Sequence, residues 1–140
     1  MSLYDQIPSN AGPRDEVSLV QAATTLTNIA AAVTDSFSTL RVTKDLRPFK
    51  FVRLSWNVTT QAANGGTAYL QYSTDNGSTF TAIDATSGAV SLVGTGLKHS
   101  AWVALPAAAQ VESAVLRLAT VGGDGAEDPV VNSVYAEFAA

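Results

Sequence analysis

The chain has 140 residues, a length typical of one domain that can bury its own hydrophobic core. Charged residues make up 14% of it, the formal net charge is −4, and no cluster of Lys and Arg occurs, so the composition excludes binding through nucleic-acid phosphates. Cysteine is absent, which excludes disulfides, thiolate nucleophiles and thiolate metal sites.

The N-terminal residues 1–16 predict an extended arm. They contain Pro8, Gly12 and Pro13, which interrupt regular structure, and the β-sandwich domain is then expected over residues 17–140. This stretch has no basic segment followed by an apolar run, so we expect no secretory signal peptide. No apolar stretch reaches the length of a transmembrane helix, so a membrane partner is not expected.

Residues 17–34 allow two interpretations. Leu19, Leu26 and Ile29 belong to a series of apolar residues with helical spacing. The threonines between them are β-branched and favour strands. We predict two strands with a short break near residues 28–32.

The remainder of the chain predicts a series of short strands. In FVRLSWNVTT (residues 51–60), alternate residues from Val52 to Val58 are apolar, which is the period of a half-buried strand. Four further segments are rich in β-forming residues and are separated by turn signals: residues 67–73, 100–106, 114–121 and 130–138. Together with the long connection from Ala82 to Lys98, this spacing predicts an all-β fold, a single jelly-roll or Greek-key β-sandwich.

Residues 73–80, STDNGSTF, form a Ser-x-Asp-x-Gly-x-Thr-aromatic motif. The motif resembles the Asp box of sialidases and other β proteins in Ser73, Asp75, Gly77, Thr79 and Phe80. In those families the box usually lies away from the chemistry, so the resemblance implies a structural hairpin. Asp75 is suited to accept backbone N–H groups, and Gly77 to supply a positive φ. The motif occurs once, which argues against a propeller of repeated blades.

A wider pattern extends over residues 50–138. It consists of the motif hairpin, a strand that bears Trp102, a strand with Arg117 on its outer side, a loop and a final strand. This pattern resembles jelly-roll domains of the galactose-binding and carbohydrate-binding-module type. Similar jelly rolls occur in virion proteins of tailed phages, including head-decoration and accessory proteins. The resemblance implies a sugar-binding module or a virion component.

Two aromatic residues are candidate ligand contacts, Tyr69 and Trp102. Alternation places Trp56 with the core residues of its strand, so it is not a candidate. Tyr69 lies opposite the apolar side of its own strand, and we expect it to be exposed.

The loop GGDGAEDP (residues 122–129) carries Asp124, Glu127 and Asp128, whose oxygens are a weak candidate for Ca²⁺ ligands. Their spacing is not that of an EF-hand and favours a solvated acidic turn, so we expect no metal and no other cofactor. His99 is the single histidine, and no nucleophile elbow accompanies it. We therefore expect no enzymatic activity.

These observations favour a non-enzymatic structural or interaction protein. We expect a phage virion component, such as a capsid decoration or accessory protein, made in the host cytoplasm and present in the virion. We expect it to form a homo-oligomer, with a trimer as the expected symmetry, and to contact other virion proteins such as the major capsid protein. The alternative is a carbohydrate-binding module or a receptor-binding domain with glycans as ligands.

Overall fold

Eleven β-strands lie in the part of the chain that the computed structural model describes, namely residues 14–20, 24–25, 41–62, 66–121 and 130–140. They are β1 (Arg14–Val20), β2 (Thr24–Thr25), β3 (Val42–Lys44), β4 (Phe51–Thr60), β5 (Thr67–Ser73), β6 (Thr81–Ala82), β7 (Val90–Ser91), β8 (Gly96–His99), β9 (Val103–Ala104), β10 (Ala114–Val121) and β11 (Val130–Ala139). A 3-10 turn lies at Ala107–Ala109.

The strands form two antiparallel sheets. The first has the order β1-β11-β4-β8, with β2 beside β11 and β9 beside β4. The second has the order β3-β10-β5-β6, with β7 also beside β5. The first strand thus pairs with the last, β3 with β10, β4 with β8 and β9, and β5 with β6 and β7, which is the nested pairing of a jelly roll. The predicted all-β sandwich is therefore confirmed.

The core lies between the sheets, where alternate side chains of the central strands meet. In β4 the inward side chains include Leu54 and Trp56, which are 2% and 1% exposed, as the alternation predicted. Leu116 and Leu118 of β10, in the second sheet, and Phe138 of β11, in the same sheet as β4, belong to the same core and are equally buried. The inner side of the first sheet is therefore buried in the core, and the candidate site lies on its outer side.

Two lysines close the edges of the sandwich. Lys44 of β3 forms an ion pair with Asp15 of β1, which joins the two sheets at one edge, and its hydrogen bond lowers the pKa of the Asp15 carboxyl. At the other edge Lys98 of β8 donates to the carbonyl oxygens of Ser91, at 3.1 Å, and Val93. Charged side chains at edge strands oppose pairing with another chain.

The described residues include only part of the N-terminal segment for which predictions were made. Strand β1 begins at Arg14, which lies inside the range 1–16 predicted as an arm. Residues 1–13 lie outside the described residues, so the arm stays a prediction. The described part of residues 17–34 is extended, in β1 and β2, whereas the predicted break near 28–32 lies outside the described residues. No helix that the structure describes has the length and apolar character needed to span a bilayer.

Candidate functional site

The outer side of the first sheet carries polar side chains from all four of its main strands. Strand register fixes their neighbours: Glu16 lies opposite Glu137, and Glu137 opposite Arg53. We call this surface the polar face. It comprises Glu16 and Ser18 of β1, Arg53, Ser55 and Asn57 of β4, Leu97 and His99 of β8, Trp102 between β8 and β9, and Asn132, Tyr135 and Glu137 of β11.

A row of three side chains crosses the middle of the polar face. Arg53 Nε donates to Glu137 Oε2 at 2.7 Å, and the Arg53 guanidinium carbon lies 5.1 Å from the centre of the Trp102 ring. The Arg53 side chain is 8% exposed and that of Glu137 is 20% exposed. A cation stacked on an indole is attracted to the ring, and here the carboxylate holds the cation in place. The row therefore orients Trp102 on the outer side of the sheet.

Trp102 reaches this side because of the local register of β9. Val103 pairs with Val52, and both side chains are buried on the inner side of the sheet. The preceding residue projects to the outer side, where Arg53 lies. The ring is half-buried.

Two buried polar atoms on the polar face have no hydrogen-bond partner within the described part of the chain. They are Ser18 Oγ and Trp102 Nε1. Trp56 Nε1, in the core, shares this property. Buried polar atoms are rarely left unpaired in proteins, so Ser18 Oγ and Trp102 Nε1 call for a partner from outside the described residues.

Strand β11 contains a strained bulge beside this surface. The register with β4 shifts between Asn132 and Tyr135, and Ser133 within that shift has a φ of 52°. A positive φ is unfavourable for a residue other than glycine, and bulges in sheets are over-represented next to functional sites. The strain lies in a central strand, between polar-face residues on either side of it.

The predicted motif at residues 73–80 forms a self-contained hairpin turn between β5 and β6. Ser73 Oγ accepts from Gly77 N at 2.9 Å and donates to Asp75 Oδ1 at 2.6 Å. Asp75 Oδ1 also accepts from the amides of Ser78 and Thr79, at 3.1 and 2.8 Å, and its Oδ2 accepts from Thr79 Oγ1 at 2.5 Å. The hydrogen bonds from Ser73 and then from Thr79 hold the pKa of Asp75 well below its usual range.

Phe80 fastens this hairpin to the second sheet. The guanidinium carbon of Arg117 lies 3.7 Å from its ring centre, and that of Arg41 lies 4.9 Å away. Arg117 Nε in turn donates to Gln71 Oε1 at 2.7 Å. Arg41 Nη1 donates to the Gly77 carbonyl oxygen at 3.3 Å. The motif thus packs on the sheet that lies opposite the polar face.

The two predicted ligand contacts lie in different sheets. Trp102 belongs to the polar face, whereas Tyr69 lies on the outer side of the second sheet, opposite Ala119. Tyr69 is 9% exposed, so the expectation that it is exposed was wrong. Its neighbours on that side, Gln71 and Arg117, are buried as well, which shows that the outer side of this sheet is covered.

The remaining candidates add no chemistry that the structure describes. Asp124, Glu127 and Asp128 lie outside the described residues. Within the described ranges, no three His, Cys, Asp or Glu side chains come together as a possible metal site. His99 lies on β8 with an exposed side chain, on the polar face.

Comparisons with known proteins give the fold alone. No protein-family model matches the chain, and no curated protein matches its sequence. A solved structure of similar shape is TmCBM61, described as in complex with β-1,4-galactotriose; it is 12% identical, covers 89% of this chain and 87% of its own, and has a TM-score of 0.35. The protein is thus a two-sheet antiparallel sandwich with a distant structural similarity to a carbohydrate-binding module. At this TM-score the similarity carries no argument about function, so the function must be argued from the residues of this chain.

Proposed function

We propose that the protein is a non-enzymatic binding module and that its polar face contacts a glycan. The observation that supports this most is the Glu137–Arg53–Trp102 row, which holds a half-buried indole on the outer side of the first sheet. Sugars have apolar C–H faces that pack on aromatic rings, and hydroxyl groups that need hydrogen-bond partners. The polar face offers both, because amide, hydroxyl and carboxylate side chains lie on the same face as the ring.

The unpaired atoms and the strained bulge support the same surface. Trp102 Nε1 and Ser18 Oγ have no partner within the described residues and lie at opposite edges of the sheet, so two separate hydroxyl groups of a glycan would pair with them, one accepting from Trp102 Nε1 and one donating to Ser18 Oγ. The bulge at Ser133 re-aims the side chains on either side of it. Both features cost stability, and a ligand-binding role accounts for their presence on one side of the sandwich.

A glycan array with purified protein tests the proposal. We expect specific binding that Trp102→Ala abolishes. Tyr69→Phe is the matched control, because it changes one aromatic residue on the other sheet and preserves its packing. Loss of binding in Tyr69→Phe but not in Trp102→Ala would move the site to the second sheet, and an array without specific binding would refute the proposal.

A second proposal is that of a virion subunit, and a different observation favours it. Leu97 is 86% exposed and Val93 is 41% exposed, at the β8 end of the first sheet. Large apolar side chains in solvent are suited to contact with another protein subunit. Here we expect a trimer by light scattering and co-sedimentation with assembled capsids through the major capsid protein. A monomer that does not bind capsids would contradict this second proposal.

A further inference from the structure

Among the described residues, the exposed, uncompensated charge of the polar face is the carboxylate of Glu16, and beside it lies Glu137, which is 20% exposed and paired with Arg53. Resting on the proposed glycan binding, we infer that the face binds neutral glycan chains and rejects acidic ones, with Glu16 and Glu137 as the residues that determine this specificity.

The register places two carboxylates side by side. Glu16 of β1 and Glu137 of β11 lie directly opposite each other on neighbouring strands. Like charges in this position destabilise a sheet. The Glu16 side chain is exposed and has no ion-pair partner among the described residues. Arg53 compensates the charge of Glu137 but not that of Glu16, and ligand selection can explain why Glu16 lies beside it.

The cations of the same face are withdrawn from solvent. Arg53 is 8% exposed, and its Nε is already bonded to Glu137. Arg14, which precedes Glu16 on the same side of β1, is half-buried and also has interactions within the protein. His99 is exposed, but an imidazole lacks the forked pair of donors of a guanidinium. Both guanidinium groups that the structure describes on this side of the sheet are thus already engaged within the protein, which disfavours the two-pronged contact by which arginine recognises a ligand carboxylate.

This distribution of charge has opposite consequences for neutral and acidic sugars. Hydroxyl groups donate well to a carboxylate, and such charge-assisted hydrogen bonds are stronger than neutral ones. A uronic acid or a sulfated sugar brings a second negative charge close to Glu16 and Glu137. At contact distance near a hydrated surface, repulsion from an unpaired carboxylate such as that of Glu16 is large enough to reduce affinity about fivefold, and Glu137, whose charge Arg53 compensates, contributes less.

Matched oligosaccharides test the inference with the full chain. The probes are two pairs of a neutral hexasaccharide and its C6-oxidised form. In the first pair β-1,4-mannohexaose is compared with the β-1,4-mannuronate hexamer, and in the second cellohexaose is compared with the β-1,4-glucuronate hexamer. Each pair keeps the linkage and the ring configuration and differs at C6, where a neutral hydroxymethyl group is replaced by a carboxylate. A general array of neutral glycans is run beside them, and any neutral glycan that binds is oxidised at C6 to give its own acidic partner.

We expect each neutral glycan that binds to lose at least about fivefold in affinity on oxidation, with part of the loss recovered at high salt because salt screens exposed charges. Glu16→Gln is expected to raise the affinity for the acidic form about fivefold and to change the neutral form less. Glu137→Gln, which keeps an oxygen for Arg53, is the second variant. Glu112→Gln is the control, because it removes one carboxylate, 74% exposed, in the loop before β10 of the other sheet.

The outcomes separate the inference from the proposal beneath it. Equal binding of a neutral glycan and its oxidised form would overturn the inference and leave glycan binding intact. The inference would also fall if Glu16→Gln and Glu137→Gln did not differ from Glu112→Gln with the acidic probes. Absence of binding to any glycan would refute the proposed function and the inference together.

Discussion

Removal of the Glu137 side chain is expected to destabilise the protein, because it leaves a buried cation without a partner. Arg53 is 8% exposed, and its counter-ion Glu137 is 20% exposed. Truncating one member of a buried pair costs about 3–5 kcal/mol. Since water reaches the Glu137 position, we place Glu137→Ala at the low end, with a loss of about 3 kcal/mol in the free energy of unfolding.

A graded series separates the charge from the hydrogen bond. Glu137→Gln retains an oxygen at the position that accepts from Arg53 Nε, so it loses only the difference between a charged and a neutral hydrogen bond, about 1 kcal/mol. Urea unfolding followed by circular dichroism measures both variants. Glu112→Ala, whose side chain is 74% exposed, is the control, with an expected effect below about 0.5 kcal/mol.

The losses in the free energy of unfolding of the three variants show whether the Arg53–Glu137 ion pair is held in a fixed geometry. If Glu137→Ala cost no more than Glu112→Ala, the pair would be as solvated as an ordinary surface pair. Arg53 could not then hold the Trp102 ring in a fixed position, and the argument for an oriented indole on the polar face would fail.

Three further predictions concern the hairpin and the bulge. Ser73→Ala should lower the free energy of unfolding by about 2 kcal/mol in urea titrations, because the Gly77 N–H loses its acceptor, whereas the exposed Thr74→Ala should have little effect. Because the folded pKa of Asp75 lies below the unfolded value of 3.8, its contribution to stability is present above that value and is lost as the pH falls below it. Thermal melts across this acidic range should therefore show a shallower decline for Asp75→Asn than for the wild type, and parallel declines would contradict the assignment. Ser133 has a φ of 52°, so Ser133→Val should lower the free energy of unfolding by about 2 kcal/mol. Ser133→Gly should change it by less than about 0.5 kcal/mol, because the relief of backbone strain offsets the entropy that glycine adds to the unfolded chain. If urea unfolding gave the same loss for both variants, Ser133 would not be strained.

The fold could be predicted from the sequence because strand periodicity is a local property. Alternation in residues 51–60 assigned Trp56 to the core, where it is 1% exposed. The turn at Asp75 and Gly77 was also recognisable, since the side chains that build it lie within eight residues of one another.

The candidate site could be predicted only in part, because its contacts join distant segments. Trp102 was identified as a candidate, but its partners were not: Arg53 and Glu137 are 84 residues apart, and only the pairing of β4 with β11 brings them together. The bulge at Ser133 has no sequence signal such as glycine. Tyr69 was correctly placed on the outer side of its strand, but alternation indicates the side and not what covers it, so its exposure was wrongly predicted.

The most direct test of glycan binding at the polar face is an NMR titration of the two indole N–H groups. The chain has two tryptophans, so Trp56, buried in the core, is an internal control for Trp102. With a neutral glycan selected by the array, we expect the Trp102 indole signal to shift in a saturable manner while that of Trp56 stays in place. A glycan that binds and leaves the Trp102 signal unmoved, while amides of residues 73–80 shift, would contradict the account.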